Sequence, residues 1–395
     1  MKSKLIAVVL SFIIMIGVTP LVFSALMNKK FDSMLESLKK EGYKISQIED
    51  KSSYLKTDRV FEVVVPGKKI DNTGYVKDIV LKVETVFKNL PVTDVKFFGE
   101  VLKIELLNKY DTEILNKAIK DKIKFVVVTP NFKVYKYKVF NNKIVLEDTK
   151  FLFDDVEGEL LYPKKNTLKI RDIILGSLTQ PIMFEVKNFL TVYKKENNTL
   201  SQKNKFDFFV TLNSSKLSLL NVNIDNIAYF SEKLKVITTI DIKNADIFSL
   251  LRMSGFNLKF DLDGVDAEMI KKLENADSES AKQKVALEIL QKGFNVLANL
   301  NISHIFVKNR DLGYLKLDVK AVFYPTSNIL EKMQQSDFSF LDLKLHLETT
   351  PEIATLLMNE APEFAFLFAF AKKDKNLVLD LEIKKGRLFV NGEEI

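Results

Sequence analysis

The chain has 395 residues, is 47% hydrophobic, contains no cysteine and carries a formal net charge of +7 at pH 7. The absence of cysteine excludes disulfide bonds, thiolate zinc sites and cysteine nucleophiles. Lysine supplies most of the positive charge and is interleaved with Asp and Glu, so no nucleic-acid partner is expected.

The N-terminus contains an uncharged stretch over residues 5–26, LIAVVLSFIIMIGVTPLVFSAL. As a helix it would be about 33 Å long, which is enough to cross a bilayer core. A cleaved signal peptide is the alternative, although its apolar region would be unusually long. We expect a transmembrane anchor over 1–28, followed by a juxtamembrane amphipathic helix over 29–42 that ends at Gly42. Equal numbers of lysines on the two sides of the stretch leave its orientation undecided.

Alternation with a period of two then predicts strands that have one apolar and one polar side. In the first β-rich half, 43–200, it predicts a strand over 78–87. Residues 133–146 predict a hairpin that turns at Asn141-Asn142. A helix is expected over 111–122, beginning with an Asp cap.

The polar segment 194–205 is the best candidate for a linker between the halves, and a second β-rich half, 201–395, follows. Residues 266–300 predict two helices joined near the polar NADSES, and the helical region at 350–371 begins with a helix over 349–360 that has Pro351 at its first position. The alternating strands of this half are predicted over 205–212, 314–323, 341–348 and 377–383.

The segment EFAFLFAFA, residues 363–371, is ambiguous, because as a strand it places four Phe on one side and as a helix it is apolar all round. It either packs in the core or forms an apolar lip that closes a groove or touches a bilayer. Strands with one wet face belong to antiparallel sheets. The fold class is therefore mainly β with a few helices (α+β): an N-terminal transmembrane helix followed by a long, largely antiparallel sheet.

No local catalytic signature is present, so a non-enzyme is expected, and no cofactor or metal site is predicted. His346 lies on the polar side of a strand, and His304 has no acidic partner at short spacing, which does not support a zinc site. The segment DLDGVDAE, residues 261–268, lacks ligands of a calcium loop; it indicates a strand end, a turn at Gly264 and a helix start at Asp266.

Four stretches carry a family resemblance: EGYKISQIEDKSSYLKTDRVFEVVV (41–65), VFKNLPVTDVKFFGEV (86–101), LANLNISHIFVKNRDLGYLKLDVKAVF (297–323) and the ending IKKGRLFVNGEEI (383–395). In this order they resemble the YdgA-like family of bacterial envelope proteins, grouped with AsmA-like proteins; the family's His-Gly-Pro element is missing from the second stretch. The resemblance implies an inner-membrane anchor over 1–28 with a short cytoplasmic tip, and it places the bulk of the chain in the periplasm. It also implies a long, curved sheet of the kind that AsmA-like proteins are thought to use for lipids.

The first functional hypothesis is a membrane-anchored protein of the periplasm that binds or handles lipid, with phospholipid as the ligand, in envelope maintenance. The alternative is an anchored scaffold with a closed core, which binds an envelope protein or a second copy through sheet edges or the helices of 266–300. An envelope hydrolase is a weaker alternative. Alternation alone leaves open whether the apolar side is a groove or a core. The expected lining of the groove is Leu315, Leu317, Val319, Phe323, Leu343, Leu345, Leu379, Leu381, Phe364 and Phe368.

Overall fold

The chain is mainly β with extensive antiparallel sheet, as the alternation predicts. It divides into two compact units, Met1–Gln180 and Pro181–Ile395. Among the described residues, no helix is both long and apolar enough to cross a membrane, and most of the predicted anchor, residues 5–22, lies outside the described part of the chain. The structure is a computed structural model that describes residues 23–394 except for 72, 90–93, 121–122, 131, 141, 147, 162–163, 277, 361–367, 369–370 and 374.

The N-terminal unit contains an antiparallel sheet in which neighbouring strands follow one another in sequence from β1 to β6. Its described helices are α1 (residues 23–40) and α2 (Lys109–Ile119), with a 3-10 turn at Gly67–Lys69. Its strands are β1 (Lys44–Asp50), β2 (Lys56–Pro66), β3 (Val76–Lys88), β4 (Val95–Leu106), β5 (Lys124–Thr129), β6 (Val134–Val139), β7 (Asn142–Leu146), β8 (Thr149–Asp154), β9 (Val156–Leu161) and β10 (Lys165–Ser177).

The prediction of a hairpin that turns at Asn141-Asn142 is wrong. β6 pairs with β9 in the register that joins Val139 to Val156, and β7 pairs with β8 in the register that joins Leu146 to Thr149. These two registers are continuous, so β6 and β7 run in line and the chain turns only after Leu146. An Asn-Asn pair permits a tight turn, but it does not require one when both flanking segments find partners in the same neighbouring chain.

Helix α1 forms where the juxtamembrane helix is predicted, and it packs against the sheet through Phe31. The ring of Phe31 is fully buried, with its centroid 5.6 Å from that of Phe61 in β2 and 6.1 Å from that of Phe97 in β4. Gly42 follows the helix with φ of 98°, a conformation that glycine adopts without strain, so it ends α1 as predicted.

Helix α2 overlaps the predicted segment 111–122, but it starts two residues earlier and ends at Ile119. Its cap is Asn108, whose side chain accepts a first-turn backbone N–H, whereas the expected cap Asp111 lies inside the first turn. Ile119 anchors the other end of the helix in a cluster with Val101 of β4 and Ile144 of β7. The helix thereby covers apolar side chains from two separate parts of this sheet.

In the C-terminal unit, β11 to β18 pair antiparallel in sequence order, and β20, β21 and β22 continue this pairing. Its described helices are α3 (Ala267–Glu274), α4 (Glu279–Lys292), α5 (Ile329–Gln334) and α6 (Pro351–Glu360). Its strands are β11 (Ile182–Glu196), β12 (Thr199–Leu212), β13 (Ser215–Phe230), β14 (Lys233–Ile247), β15 (Leu251–Asp266), β16 (Phe294–Val307), β17 (Arg310–Phe323), β18 (Leu341–Thr349), β19 (Lys372–Lys373), β20 (Leu377–Lys384), β21 (Arg387–Val390) and β22 (Glu393–Glu394).

The predicted linker, 194–205, is part of this sheet. It forms the end of β11 and the start of β12, joined by a tight turn at Asn197, where φ is 49°. Exposed lysines at the end of this hairpin give it the polar composition of a linker. The boundary between the compact units lies instead between Gln180 and Pro181, twenty residues before the predicted start of the second half at residue 201.

The strands predicted in this half are confirmed, and so are its helices, apart from one boundary. Residues 266–300 give α3, capped by Asp266, and then α4, which ends at Gly293 with φ of 74°. Residues 294–300 belong to β16, so the predicted helical region is too long at its end. Within the ambiguous segment 363–371, only Phe368 and Ala371 are described, and both are buried.

Candidate functional site

The β16, β17, β18 and β20 strands of the C-terminal unit align their apolar side chains in register. Ala298, Val319, Leu345 and Leu381 are successive cross-strand neighbours. Because side chains alternate between the faces of a strand, positions two residues away lie on the same face. One face therefore carries all the predicted lining residues of the three alternating strands: Leu315, Leu317, Val319, Phe323, Leu343, Leu345, Leu379 and Leu381.

The same face continues well beyond these strands. Leu317 pairs with Leu300, and the row continues through Leu258 and Ile240 to Ile224 in β13. A set of successive cross-strand neighbours forms one row across the sheet. Four adjacent rows, those of Leu315, Leu317, Val319 and Ala321, run from β12 to β20 without a charged side chain. We call this surface the apolar face; its core members are Val222, Ile224, Ile240, Ile242, Phe256, Leu258, Leu300, Ile302, Leu315, Leu317, Leu345, Leu347, Leu379 and Leu381.

Helix α6 covers one part of the apolar face. Ile353 packs against Ile302 and Leu315, and Ala354 belongs to a buried cluster that includes Leu379 and Phe368. Leu379 is only 1% exposed. These side chains are core, which agrees with the packing interpretation of Phe368; Phe364 lies outside the described residues.

The remainder of the apolar face is unevenly covered, because Val222 in β13 and Ala321 in β17 are buried, at 3% and 6% exposure, whereas other positions are not. Leu317, Val319, Leu345 and Leu381 are half-buried, as are Phe323 and Leu343. Among the described elements, no helix packs extensively against β11 to β14. Phe260, in the same row as Val319, is 36% exposed; two further Phe on this side of the sheet but outside the four rows, Phe184 in β11 and Phe230 at the end of β13, are 41% and 46% exposed.

The opposite face is polar and is held together by cross-strand pairs. Lys203 Nζ lies 2.7 Å from Asp225 Oδ2, and the Asn299 side-chain amide donates to Asp318 Oδ1 at 2.5 Å. A cleft of about 510 Å³ opens on this face beside His346. Pairs of this type are typical of a solvated sheet surface and contribute little individually.

Both histidines pair with aspartates on exposed strand surfaces. His346 Nδ1 lies 2.7 Å from Asp380 Oδ1, and the His346 side chain is 43% exposed, in line with its predicted position. His304 has no acidic partner at short sequence spacing, but the β16–β17 hairpin brings Asp311 to it, with Oδ2 2.9 Å from His304 Nδ1. Within the described residues, no cluster of His, Asp and Glu has the makeup of a metal site.

One strongly perturbed pair also lies on the polar side. The Tyr314 hydroxyl donates to Glu348 Oε1 across β17 and β18. Burial, together with this hydrogen bond to a carboxylate, raises the pKa of Tyr314 to about 12. The same hydrogen bond lowers the pKa of Glu348, and Lys316 adds to the effect. The pair ties two strands together, and Lys316 Nζ lies 3.5 Å from the other carboxylate oxygen of Glu348.

Comparison with known proteins gives no relative for this chain: no family model, curated protein or solved structure matches it. Its geometry must therefore be interpreted on its own. The sequence-based reasoning located the β17–β20 part of the apolar face but missed its extension to β12. The missed signal is the same alternation in β13 and β14, for example Val236, Ile240 and Ile242 against Lys235, Asp241 and Lys243.

Proposed function

We propose that this chain is a membrane-tethered protein whose apolar face holds the acyl chains of lipid. The supporting observation is an uncharged surface that is in register from β12 to β20 and on which Phe260 stays 36% exposed. Contiguous exposed apolar patches are uncommon on soluble proteins and mark sites for ligands, partners or membranes. Lipid is the ligand that a surface of this size, with no charge on it, suits best.

The dimensions of the apolar face support this proposal. With strands about 4.8 Å apart and rows about 6.7 Å apart, eight strands and four rows span about 34 Å by 20 Å. Helix α6 has 10 residues, which makes it about 15 Å long and about 10 Å wide. It can therefore cover only a fraction of the face, and we expect an acyl chain to lie along the half-buried positions of the remainder, such as Val319, Leu345 and Leu381.

The anchor and the location belong to the same proposal. The uncharged residues 5–26 would hold the protein in a bacterial inner membrane, and the YdgA-like resemblance favours the periplasm for the rest of the chain. A tether of this kind would keep the apolar face next to the bilayer that supplies the lipid. The function would then be lipid handling in the cell envelope.

Photocrosslinking of the full chain in bacterial membranes tests the proposal. Benzoylphenylalanine would replace either Phe260, on the apolar face, or the adjacent Lys259, which is exposed on the opposite face. After irradiation, mass spectrometry of the purified chain should show a lipid adduct at position 260 and none at position 259. A matched pair of this kind separates a specific groove from incidental contact with the membrane.

Two other results would contradict the proposal. An adduct with a protein at position 260 would favour the scaffold hypothesis, in which the same face binds a partner or a second copy. An uncrosslinked chain at position 260, in a protein that is folded by circular dichroism, would mean that the face takes up no lipid.

A further inference from the structure

The apolar face carries one compact block of polar residues. Gln202 lies between Tyr193 and Asn226 as a direct cross-strand neighbour, and Asn226 pairs in turn with Thr238. One row further along, Asn204 pairs with Thr191 and completes the block. All the members are half-buried and uncharged. We call this set the polar block: Thr191, Tyr193, Gln202, Asn204, Asn226 and Thr238.

The polar block keeps hydrogen-bonding capacity that its own contacts do not use. Gln202 Nε2 donates to Asn204 Oδ1 at 3.2 Å, and Thr238 Oγ1 donates to Asn226 Oδ1 at 2.9 Å. Among the described residues, the Asn226 amide nitrogen and the Gln202 carbonyl oxygen have no partner. Half-buried amides of this kind are unfavourable in an apolar surface unless water or a ligand completes their hydrogen bonds.

Charge is nearly absent around the polar block. Lys203 and Lys205 of β12 alternate with its members and therefore point to the opposite face, where Lys203 pairs with Asp225. Among the residues that the structure describes, the charged neighbour on the same face is Lys195, next to Tyr193 in alternation and exposed near the end of β11. Phosphate recognition usually employs Arg clusters, lysines or helix N-termini. Amides and hydroxyls instead match the hydroxyl groups of an uncharged polyol.

We infer that the polar block receives the headgroup of the bound lipid, and that this headgroup is phosphate-free and hydroxyl-rich, such as a hexose or glycerol. This inference rests on the proposed function, because it assigns the headgroup end of the same site. The acyl chains then extend from β15 toward β20, where Thr349 is the one polar side chain of the four rows. The block thus sets both the orientation of the lipid and its class, and it differs from the phospholipid expected from the sequence.

The same crosslinking experiment identifies the headgroup. Phe260 is the cross-strand neighbour of Thr238, so benzoylphenylalanine at position 260 lies beside the block. Fragmentation of the adduct should give a hexose or glycerol headgroup without phosphate. Replacing Gln202 and Asn226 with leucine should lower the adduct yield roughly fivefold for each lost hydrogen bond, at limiting lipid.

Two control variants test whether the adduct yield depends on the charge of Lys195 or on any amide of β13, whichever face it lies on. K195Q removes the one lysine on this face and should leave the yield unchanged. N223L removes an amide from the opposite face of β13 and should also be neutral. If leucine at 202 and 226 prevents folding, T238V keeps the shape of the side chain, removes one hydroxyl, and should lower the yield.

The outcomes separate the inference from the proposed function. A phosphate-bearing adduct that K195Q abolishes overturns the inference about the headgroup but leaves lipid binding in place. A lipid adduct that is insensitive to Gln202, Asn226 and Thr238 also overturns the inference. The absence of any lipid adduct at position 260 overturns both.

Discussion

Leu379 and Leu381 are neighbours on the same face of β20, but the structure assigns them to different environments. Leu379 is 1% exposed and packs in the cluster beneath α6, whereas Leu381 is half-buried beyond it. Leu→Ala at a fully buried site costs about 2.7–5 kcal/mol, because the lost transfer free energy is accompanied by a cavity. At Leu381 the removed carbons already contact water in part, and we expect a loss of about 1 kcal/mol.

Hydrogen exchange with mass spectrometry on the full chain is the suitable assay, because a chain of two compact units need not unfold in one step. Peptides from β18 and β20 report the local opening free energy in the region that both leucines share. L379A should accelerate exchange there by two to three orders of magnitude, and L381A by roughly one order or less, at about 1.4 kcal/mol per tenfold. Equal losses at the two positions would refute the reasoning, because Leu381 would then be as fully covered as Leu379 and the apolar face would be a closed core.

Three further predictions concern single sites. G99A should lower the melting temperature, because the added methyl meets the Phe125 ring, and F125L in the same chain should restore part of the loss. The Tyr314–Glu348 pair should stabilise the fold most between its two titrations: its contribution is lost as pH falls through the lowered pKa of Glu348, and again as pH rises from 10 toward the Tyr314 value of about 12. Y314F should flatten both limbs of the stability–pH profile. N89A should lower the free energy of unfolding by about 1–3 kcal/mol in thermal unfolding, because this 2% exposed side chain donates hydrogen bonds to the carbonyls of Ser53 and Tyr54 in the β1–β2 turn.

The strands could be predicted from the sequence because their signal is local. The alternation over 78–87, 314–323 and 341–348 is sufficient to identify one-sided strands, and all of them form. Helix α6 begins at Pro351, as proline at the first helical position predicts. In each case the type of secondary structure is determined by residues that are close in sequence, and the pairing between distant segments is consistent with it.

The errors arise where pairing between distant segments decides the structure. Asn141-Asn142 has the composition of a turn, but the continuous partner strand keeps β6 and β7 in line. The polar segment 194–205 has the composition of a linker, but each half finds a partner in the other. Residues 294–300 follow a helix and continue its apolar pattern, yet β15 and β17 provide edges that make a strand more stable.

The candidate site was predictable in position but not in extent. The alternation shows that Leu317, Leu345 and Leu381 share a face, but only the register shows that this face reaches β12. Which members are core depends on where α6 lies, and no periodicity within β20 distinguishes Leu379 from Leu381. Burial by an element remote in sequence is a tertiary property, and the alternation is the same with or without it.

The polar block illustrates the same limit in a way that bears on function. Gln202, Asn226 and Thr238 come from three different strands. In the sequence, each is a single polar residue on an otherwise apolar side of a strand, and such a residue only weakens the strand prediction. Only the register brings them together, where half-buried amides would cost stability unless a ligand or water completes their hydrogen bonds. Leucine at these positions should therefore stabilise the empty protein while it lowers lipid capture, and a site that served packing alone would show no such opposition.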